Sequence, residues 1–414
     1  MRLSEVVKAL DSADLARVYG GKVAENKERL AKLLAVAMEK YGDVEGYLFS
    51  SPGRVEVGGN HTDHQKGCVV AASVDLDIAA VVIPNGKNSV HYEGNGFVAD
   101  VDLADLEVKE EEKNSTPALI RGVAKKCQEM GYTIGGVEIV ADSILPHGSG
   151  ISSSASFECL MGCIFSEVFN EGKISAIDIA KIGQYAENVY FGKPCGLLDQ
   201  SAIALGSFVF IDFKDFSYES IPFDFSKYGY QLCLVATAKD HADLTDEYAA
   251  IPAEMKLAAK AMGAEVLSEK TLEDLYANAP AIREAYGDRA FLRAFHYYHE
   301  TERAVAEAQA LKKEDIKEVL RLIVESGNSS YKYLQNILVA SDVANQELGA
   351  ALALSEAMIK DKGAYRVHGG GFGGTMLAIV PTELFPTYKE TIEKVLKLRV
   401  MAFNIRGCGT TRII

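Results

Sequence analysis

Residues 135–170 read GGVEIVADSILPHGSGISSSASFECLMGCIFSEVFN, and this stretch decides the fold. The β-branched run GGVEIVADSIL reads as a strand, SFECLMGCIFSEVFN as a helix, and PHGSGISSSAS at 146–156 joins them directly. Three features coincide in that joint: glycines that permit close backbone approach, a run of serine hydroxyls, and the start of a helix. Unpaired N–H groups and the dipole at a helix N-terminus favour an anion, and glycines let a phosphate reach them. The Walker spacing G-x-x-x-x-G-K-[ST] is absent. A plainer reading is a serine-rich cap, for which Ser152 or Ser153 would suffice.

Working outward, residues 25–41 carry apolar residues at helical spacing and end at Gly42, a helix stop. GYLFSSPGRVEVGGNHTDHQKG then reads as a short apolar run entering a polar, glycine-rich loop. VVAASVDLDIAAVVIP is a long strand ending at the turn Pro84-Asn85-Gly86. The charge run EVKEEEK at 107–113 is expected to be a solvated loop or helix face. Downstream come a helix at 175–190, the turn GKPCGLLDQ, and the strands SFVFIDF and QLCLVATA. Helical periodicity dominates 253–263, 291–311, 313–335 and 343–360. AYRVHGGGFGGTMLAIVP follows as strand, glycine loop and apolar run, with a last helix near 386–398. Strands and helices interspersed in both halves predict an α+β protein.

At 414 residues the chain exceeds the usual span of one core, so two or more domains are expected. Lys+Arg 43 against Asp+Glu 58 gives a net charge of −15, which repels both a nucleic-acid backbone and an anionic leaflet. Neither nucleic acid nor membrane is therefore an expected partner, and no apolar run approaches the ~20 residues of a span. The opening MRLSEVVKALDSADLARVYGG mixes acids and Arg with apolar residues, unlike a signal or transit peptide. Seven cysteines without zinc or redox spacing read as reduced thiols in a cytoplasmic protein.

Three further segments carry chemistry. GRVEVGGNHTDHQKG at 53–67 packs Arg54, Asn60, His61, Asp63 and His64 beside glycines, a density suited to a polyhydroxylated ligand. A self-capping turn is the simpler alternative, and a metal site on His61 and His64 lacks further ligands. AENVYFGKPCGLLDQ at 186–200 places Glu187 near a helix end and Asp199 past a glycine turn, where a lone Asp is most often a cap. HGGGFGGT at 368–375 is, taken alone, a flexible loop.

Together the four segments resemble the GHMP kinases and, among them, the galactokinases. The family signature G-R-V-N-L-I-G-E-H-T-D-Y is matched by GRVEVGGNHTDH, P-x-G-x-G-L-S-S-S-A by PHGSGISSSA, P-C-G-I-M-D-Q by PCGLLDQ, and G-x-G-F-G-G by GGGFGG. DEYAAIPAEMKLA at 246–258, HETERAVAEA at 299–308 and ESGNSSYKYL at 325–334 are weaker echoes, so the resemblance covers roughly residues 45–410. It implies a two-domain fold: an N-terminal ribosomal-protein-like βαβ domain at 1–228 and a C-terminal ferredoxin-like domain at 229–414, with the active site in the cleft between them.

The implied reaction transfers phosphate from ATP to the anomeric hydroxyl of galactose. Asp199 would be the catalytic base and Arg54 its cationic neighbour. Gly148, Ser149, Gly150, Ile151, Ser152, Ser153 and Ser154 would cradle the nucleotide phosphates, and Ser154 and Glu187 would hold magnesium. Asn60, His61, Asp63, Gly196 and Tyr248 would contact the sugar, while Gly369, Gly370, Gly371, Gly373 and Gly374 would close the site. A monomer acting on a small sugar is expected.

Departures from the family pattern keep alternatives open. Asn60 stands where the family has Glu, and His64 where it has Tyr. Losing that carboxylate removes repulsion toward a substrate carboxylate at carbon six, and HTDHQKG is similar to the D-H-Q-G-G of plant galacturonokinases, with Lys66 adding a cation. No tryptophan precedes the helix at NSTPALIRG, where the family packs adenine. Some relatives bind sugar and ATP only as sensors, but those lose residues of the serine loop, which is intact here.

Overall fold

The computed structural model describes residues 1–145, 150–237 and 245–414. The opening segment folds as α1 (Leu3–Ala9), α2 (Leu15–Tyr19) and α3 (Val23–Tyr41), the last stopping at Gly42. One face of α3, with Leu30, Leu33, Leu34 and Ala37, is buried with Leu48 and Val81 of the first sheet.

Strand β1 (Tyr47–Gly58) pairs antiparallel with the 17-residue β2 (Cys68–Pro84). β1 runs farther than its sequence suggests, because GRVEVG continues the strand instead of opening a loop. Register shifts between Pro52 and Arg54 and between Glu56 and Gly58 absorb the proline and the glycines. This extension holds Arg54 and Glu56 on a rigid strand.

The first half continues through β3 (Ser89–Gly94), β4 (Phe97–Asp102), α4 (Thr116–Glu129), β5 (Val137–Ser143), α5 (Ser153–Phe169), α6 (Ala176–Tyr185), α7 (Leu198–Leu205), β6 (Phe208–Asp212) and β7 (Ser217–Ile221). Besides β1, β2 pairs with β6 along Cys68–Ala72 and with β5 along Ile78–Pro84. β5 also runs parallel to β3. Helices α4 and α5 bury Ile120, Val123, Leu160 and Ile164 in the same core as Val70, Ala80 and Ile139 of the sheet.

The second half comprises β8 (Tyr230–Ala236), α8 (Thr245–Ala261), α9 (Leu272–Tyr286), α10 (Asp288–Lys312), α11 (Ile316–Ser329), α12 (Glu347–Ile359), β9 (Ala364–His368), β10 (Thr375–Pro381), α13 (Phe385–Val395) and β11 (Arg399–Phe403). Its sheet has the order β11-β8-β10-β9, antiparallel throughout, in a β-α-β-β-α-β succession enlarged by the helices between β8 and β9. That is the ferredoxin-like arrangement.

The halves share one core, in which Val55 and Val57 of β1 cluster with Leu232, Leu234, Ala304, Leu377 and Phe403. After β11 the chain returns to the first sheet. Ile405 bridges Val74, and β12 (Thr411–Arg412) pairs with Phe49 and Ser50 of β1. Gly229 forms the turn before β8, and the last ten residues pack with the first sheet.

Candidate active site

The serine loop and the extended strand β1 meet first. The Arg54 backbone N–H donates to the Ile151 carbonyl at 3.2 Å, and Ile151 is buried. Arg54 then grips Asp199 with two parallel bonds, Nε to Oδ1 at 2.6 Å and Nη2 to Oδ2 at 2.7 Å. Its third nitrogen, Nη1, donates to the Gly150 carbonyl. Such fork-to-carboxylate geometry fixes both partners in one orientation. Asp199 lies in the first turn of α7, yet its side chain caps nothing.

Ser152 occupies the cap position of α5 in the left-handed region, φ 59° and ψ 59°, a conformation serine adopts only at a cost of about 1 kcal/mol. Its hydroxyl does not cap the helix either; it donates to Asp199 Oδ2. The serine-cap reading of the sequence therefore fails at this residue, and the first N–H groups of α5 receive no side-chain cap from it. Gly148 and Ser149 lie outside the described residues; Gly150, Ile151, Ser152, Ser153 and Ser154 wrap the start of α5.

Glu187 sits in a π-helical turn, Ala186–Phe191, that follows α6. Ser154 Oγ donates to Glu187 Oε1 at 2.9 Å, and Gln200 Nε2 donates at 2.9 Å to both Glu187 Oε2 and Glu158 Oε2. A hydroxyl and a carboxylate side by side are hard oxygen donors of the kind magnesium takes, with phosphates and water supplying the rest. Among the described residues no group of three His, Cys, Asp or Glu forms an all-protein metal site.

The loop of Asn60, His61 and Asp63 and the glycine loop form the opposite wall. His61 Nε2 lies 3.1 Å from the Gly370 carbonyl, and the Tyr248 hydroxyl donates to the Gly371 carbonyl at 2.7 Å. A Cβ added to Gly369 would stand 3.9 Å from Arg54 Nη2, and one on Gly150 would stand 3.1 Å from Thr375 Oγ1. One on Gly196 would fall 1.7 Å from Asp63 Oδ2. Four segments up to some three hundred residues apart thus converge on the Arg54–Asp199 pair.

Asn60 departs from its expected role. It is fully buried, its amide donates to Glu56 Oε1 and to the Gly369 carbonyl at 2.8 Å each, and its oxygen accepts from Ser330 Oγ and Asn336 Nδ2. Both donors and both lone pairs are used, so Asn60 ties its own loop to the segment that follows α11 and to the glycine loop, with no position free for a sugar. Behind it, His296 Nε2 contacts the Asn60 carbonyl at 2.9 Å, and Glu300 accepts from the Gly59 N–H at 3.0 Å. Arg366 of β9 reaches across to Glu56 at 2.7 Å. No periodic pattern in the sequence marks this network, although HETER contains Glu300 and ESGNSS contains Ser330.

Electrostatics separate the carboxylates. Burial would lift Asp199, but the charge and hydrogen bonds of Arg54 and the Ser152 hydroxyl outweigh it and hold Asp199 below the usual range. Asp63 is pushed up to about 6, by burial and by the nearby charge of Asp199. Burial pushes Glu56 up to about 7, against the pull of Arg366 and Arg54. His61 falls to about 4 and His64 to about 3, chiefly through burial, so both are neutral at pH 7.

The comparisons agree with this geometry. A family described as the GHMP kinases N terminal domain matches residues 118–207, and one described as the galactokinase galactose-binding signature matches residues 38–84. The chain is 32% identical over 391 residues to a galactokinase of Lactobacillus helveticus, covering 90% of this chain and 94% of that protein. It belongs to the galactokinase family. A galactokinase of Clostridium tetani is 28% identical over 372 residues, covering 89% of this chain and 92% of that one. The solved Lactococcus lactis galactokinase, crystallised with galactose, superposes with a TM-score of 0.82 at 25% identity over 93% of this chain and all of that one. A mevalonate kinase of Methanococcus jannaschii, at 15% identity and a TM-score of 0.61, shares the fold. The galactokinase signature range holds Arg54, Asn60, His61 and Asp63; the N-terminal kinase range holds the serine loop, Glu187 and Asp199. This member of the family is a kinase, a phosphotransferase with an α+β GHMP fold.

Proposed function

We propose that the chain transfers the γ-phosphoryl group of ATP to the anomeric hydroxyl of D-galactose, releasing galactose 1-phosphate and ADP. The observation that carries this reading is the Arg54–Asp199 pair, held between the start of α5 and the glycine loop. The anomeric oxygen bonds to the γ-phosphorus, the bond from phosphorus to the β–γ bridging oxygen breaks, and the hydroxyl proton passes to Asp199. Its depressed pKa keeps Asp199 ionised and able to accept. Arg54 orients that carboxylate and keeps positive charge beside the transferring group. The uncapped amides of α5 meet the phosphates. Ser154 and Glu187 would hold magnesium, which when bound neutralises phosphate charge. His61, Asp63, Gly196 and Tyr248 would shape the sugar pocket, with Gly369, Gly370, Gly371, Gly373 and Gly374 closing it.

The uronic-acid alternative rests on Asn60 facing carbon six, on the likeness of HTDHQKG to D-H-Q-G-G and on the cation of Lys66; Asn60 is consumed within the protein, and Lys66 is exposed. Galactose is therefore the substrate favoured. Among the described residues no helix is long and apolar enough to cross a membrane, and the seven cysteines are free thiols, which suits a cytoplasmic enzyme; we take it to act as a monomer. Initial rates of ADP release with galactose, galacturonate, galactosamine and arabinose test the assignment. Galactose should give the highest kcat/KM. A preference for galacturonate would overturn the sugar, and no turnover on any sugar would make the protein a sensor.

A further inference from the structure

We propose that Lys193 is a phosphate-binding residue of this site, its ammonium group meeting the terminal phosphates of the nucleotide held at the start of α5. The role presupposes the nucleotide position given under the proposed function. Gly192, with φ 84°, ends the turn that carries Glu187, and the N–H groups of Gly192 and Lys193 both donate to the Glu187 carbonyl, at 3.0 and 3.1 Å. The left-handed glycine and these two bonds fix the root of the lysine beside the serine loop. Its Nζ lies 3.6 Å from Glu187 Oε1, the same oxygen that accepts from Ser154 of α5. The side chain stays 64% exposed, and an ammonium has three N–H donors.

The site needs such a cation. A triphosphate brings several negative charges into a pocket that already holds the carboxylates of Asp199 and Glu187. Arg54 has three of its five N–H donors engaged, two by Asp199 and one by the Gly150 carbonyl, so its share of the added phosphate charge is limited. Lys113, whose stem a Cβ on Gly192 would approach at 3.4 Å, is paired with Glu110 at 2.7 Å. The charge of Lys193 also reaches the reacting groups, since it helps to lower Asp199 and opposes the rise of Glu158. As a mere surface partner of Glu187 it would contribute little, because exposed ion pairs are screened.

The two roles separate by the number of phosphates. Calorimetric titration of AMP, ADP and ATP, with and without magnesium, is run on the wild type, Lys193→Met and Lys193→Arg. Lys193→Met should bind ATP about tenfold more weakly, the loss of one charge-assisted bond, and AMP equally well. Lys193→Arg should recover most of the loss, and the exposed site should leave Tm unchanged. Equal ATP affinity in Lys193→Met, equal losses on AMP and ATP, or a loss confined to magnesium-containing buffer would each overturn the proposal. If the wild type itself binds no ATP, the nucleotide reading falls first and this role with it.

Discussion

Alanine at position 196 is expected to disable sugar binding while sparing the fold. Gly196 does not have a left-handed φ, so alanine can adopt its backbone. The difficulty is purely one of space. The new Cβ would stand 1.7 Å from Asp63 Oδ2 and 2.7 Å from its Cγ, where ordinary contact begins near 3.4 Å. The carboxylate must retreat by well over an ångström. It is the far end of a rotatable side chain, so the backbone can stay in place and stability should change little. On the role proposed for Asp63, the loss is that of the carboxylate's bond to a sugar hydroxyl. A charge-assisted hydrogen bond contributes about 1.5–3 kcal/mol, which corresponds to a fall of roughly 10- to 150-fold in kcat/KM for galactose. The fall should appear mainly in KM, because the Arg54–Asp199 pair is untouched. Coupled ADP-release kinetics with galactose varied at saturating ATP, beside a thermal unfolding curve, measure both quantities. A variant with native Tm and unchanged KM would refute the placement of Asp63 against the sugar.

Asp63, raised to about 6 by burial and the Asp199 charge, should protonate as pH falls through that value. Galactose kcat/KM should then decline below pH 6, while kcat at saturating sugar holds because Asp199 remains ionised; an acid limb that persists in Asp63→Asn would assign it to another group. Asn60→Glu would set a carboxylate against Glu56 and the Gly369 carbonyl, where an amide now donates to both. An unpaired buried charge of this kind costs about 3 kcal/mol. Its urea midpoint should therefore drop, without a gain in galactose efficiency; an unchanged midpoint would show that Asn60 is not fully engaged.

The reacting pair was legible in the sequence because short motifs with fixed spacing carry it. GRVEV brings Arg54 and PCGLLDQ brings Asp199, while PHGSGISSSA supplies Gly150 and Ser152, which bond to the pair. Local reading failed where tertiary contacts override it. Pro52 and three nearby glycines read as loop, yet bulges let β1 run on to Gly58. Ser152 and Asp199 both read as caps, and both turn their side chains to the site instead. The hairpin of β3 and β4 turns at Asn95-Gly96, both at positive φ, a strong local turn signal. The engagement of Asn60 within the protein is hidden from the sequence for a different reason. Its partners Ser330 and Asn336 lie 270 and 276 positions away, and no local pattern shows that an amide's capacity is already spent. Lys193 was likewise invisible, since only the turn after α6 brings its charge to Glu187.

The most direct measurement is the rate of ADP release when Asp199→Asn is mixed with saturating ATP and galactose, set beside its ATP dissociation constant. Asparagine can still accept from Arg54 through one oxygen but cannot take the hydroxyl proton. The rate should fall by about 10²–10⁴, the range for losing a general base, with ATP affinity kept within about threefold. A variant that retains more than a tenth of the wild-type rate, with native stability and ATP binding, would contradict the account at its centre.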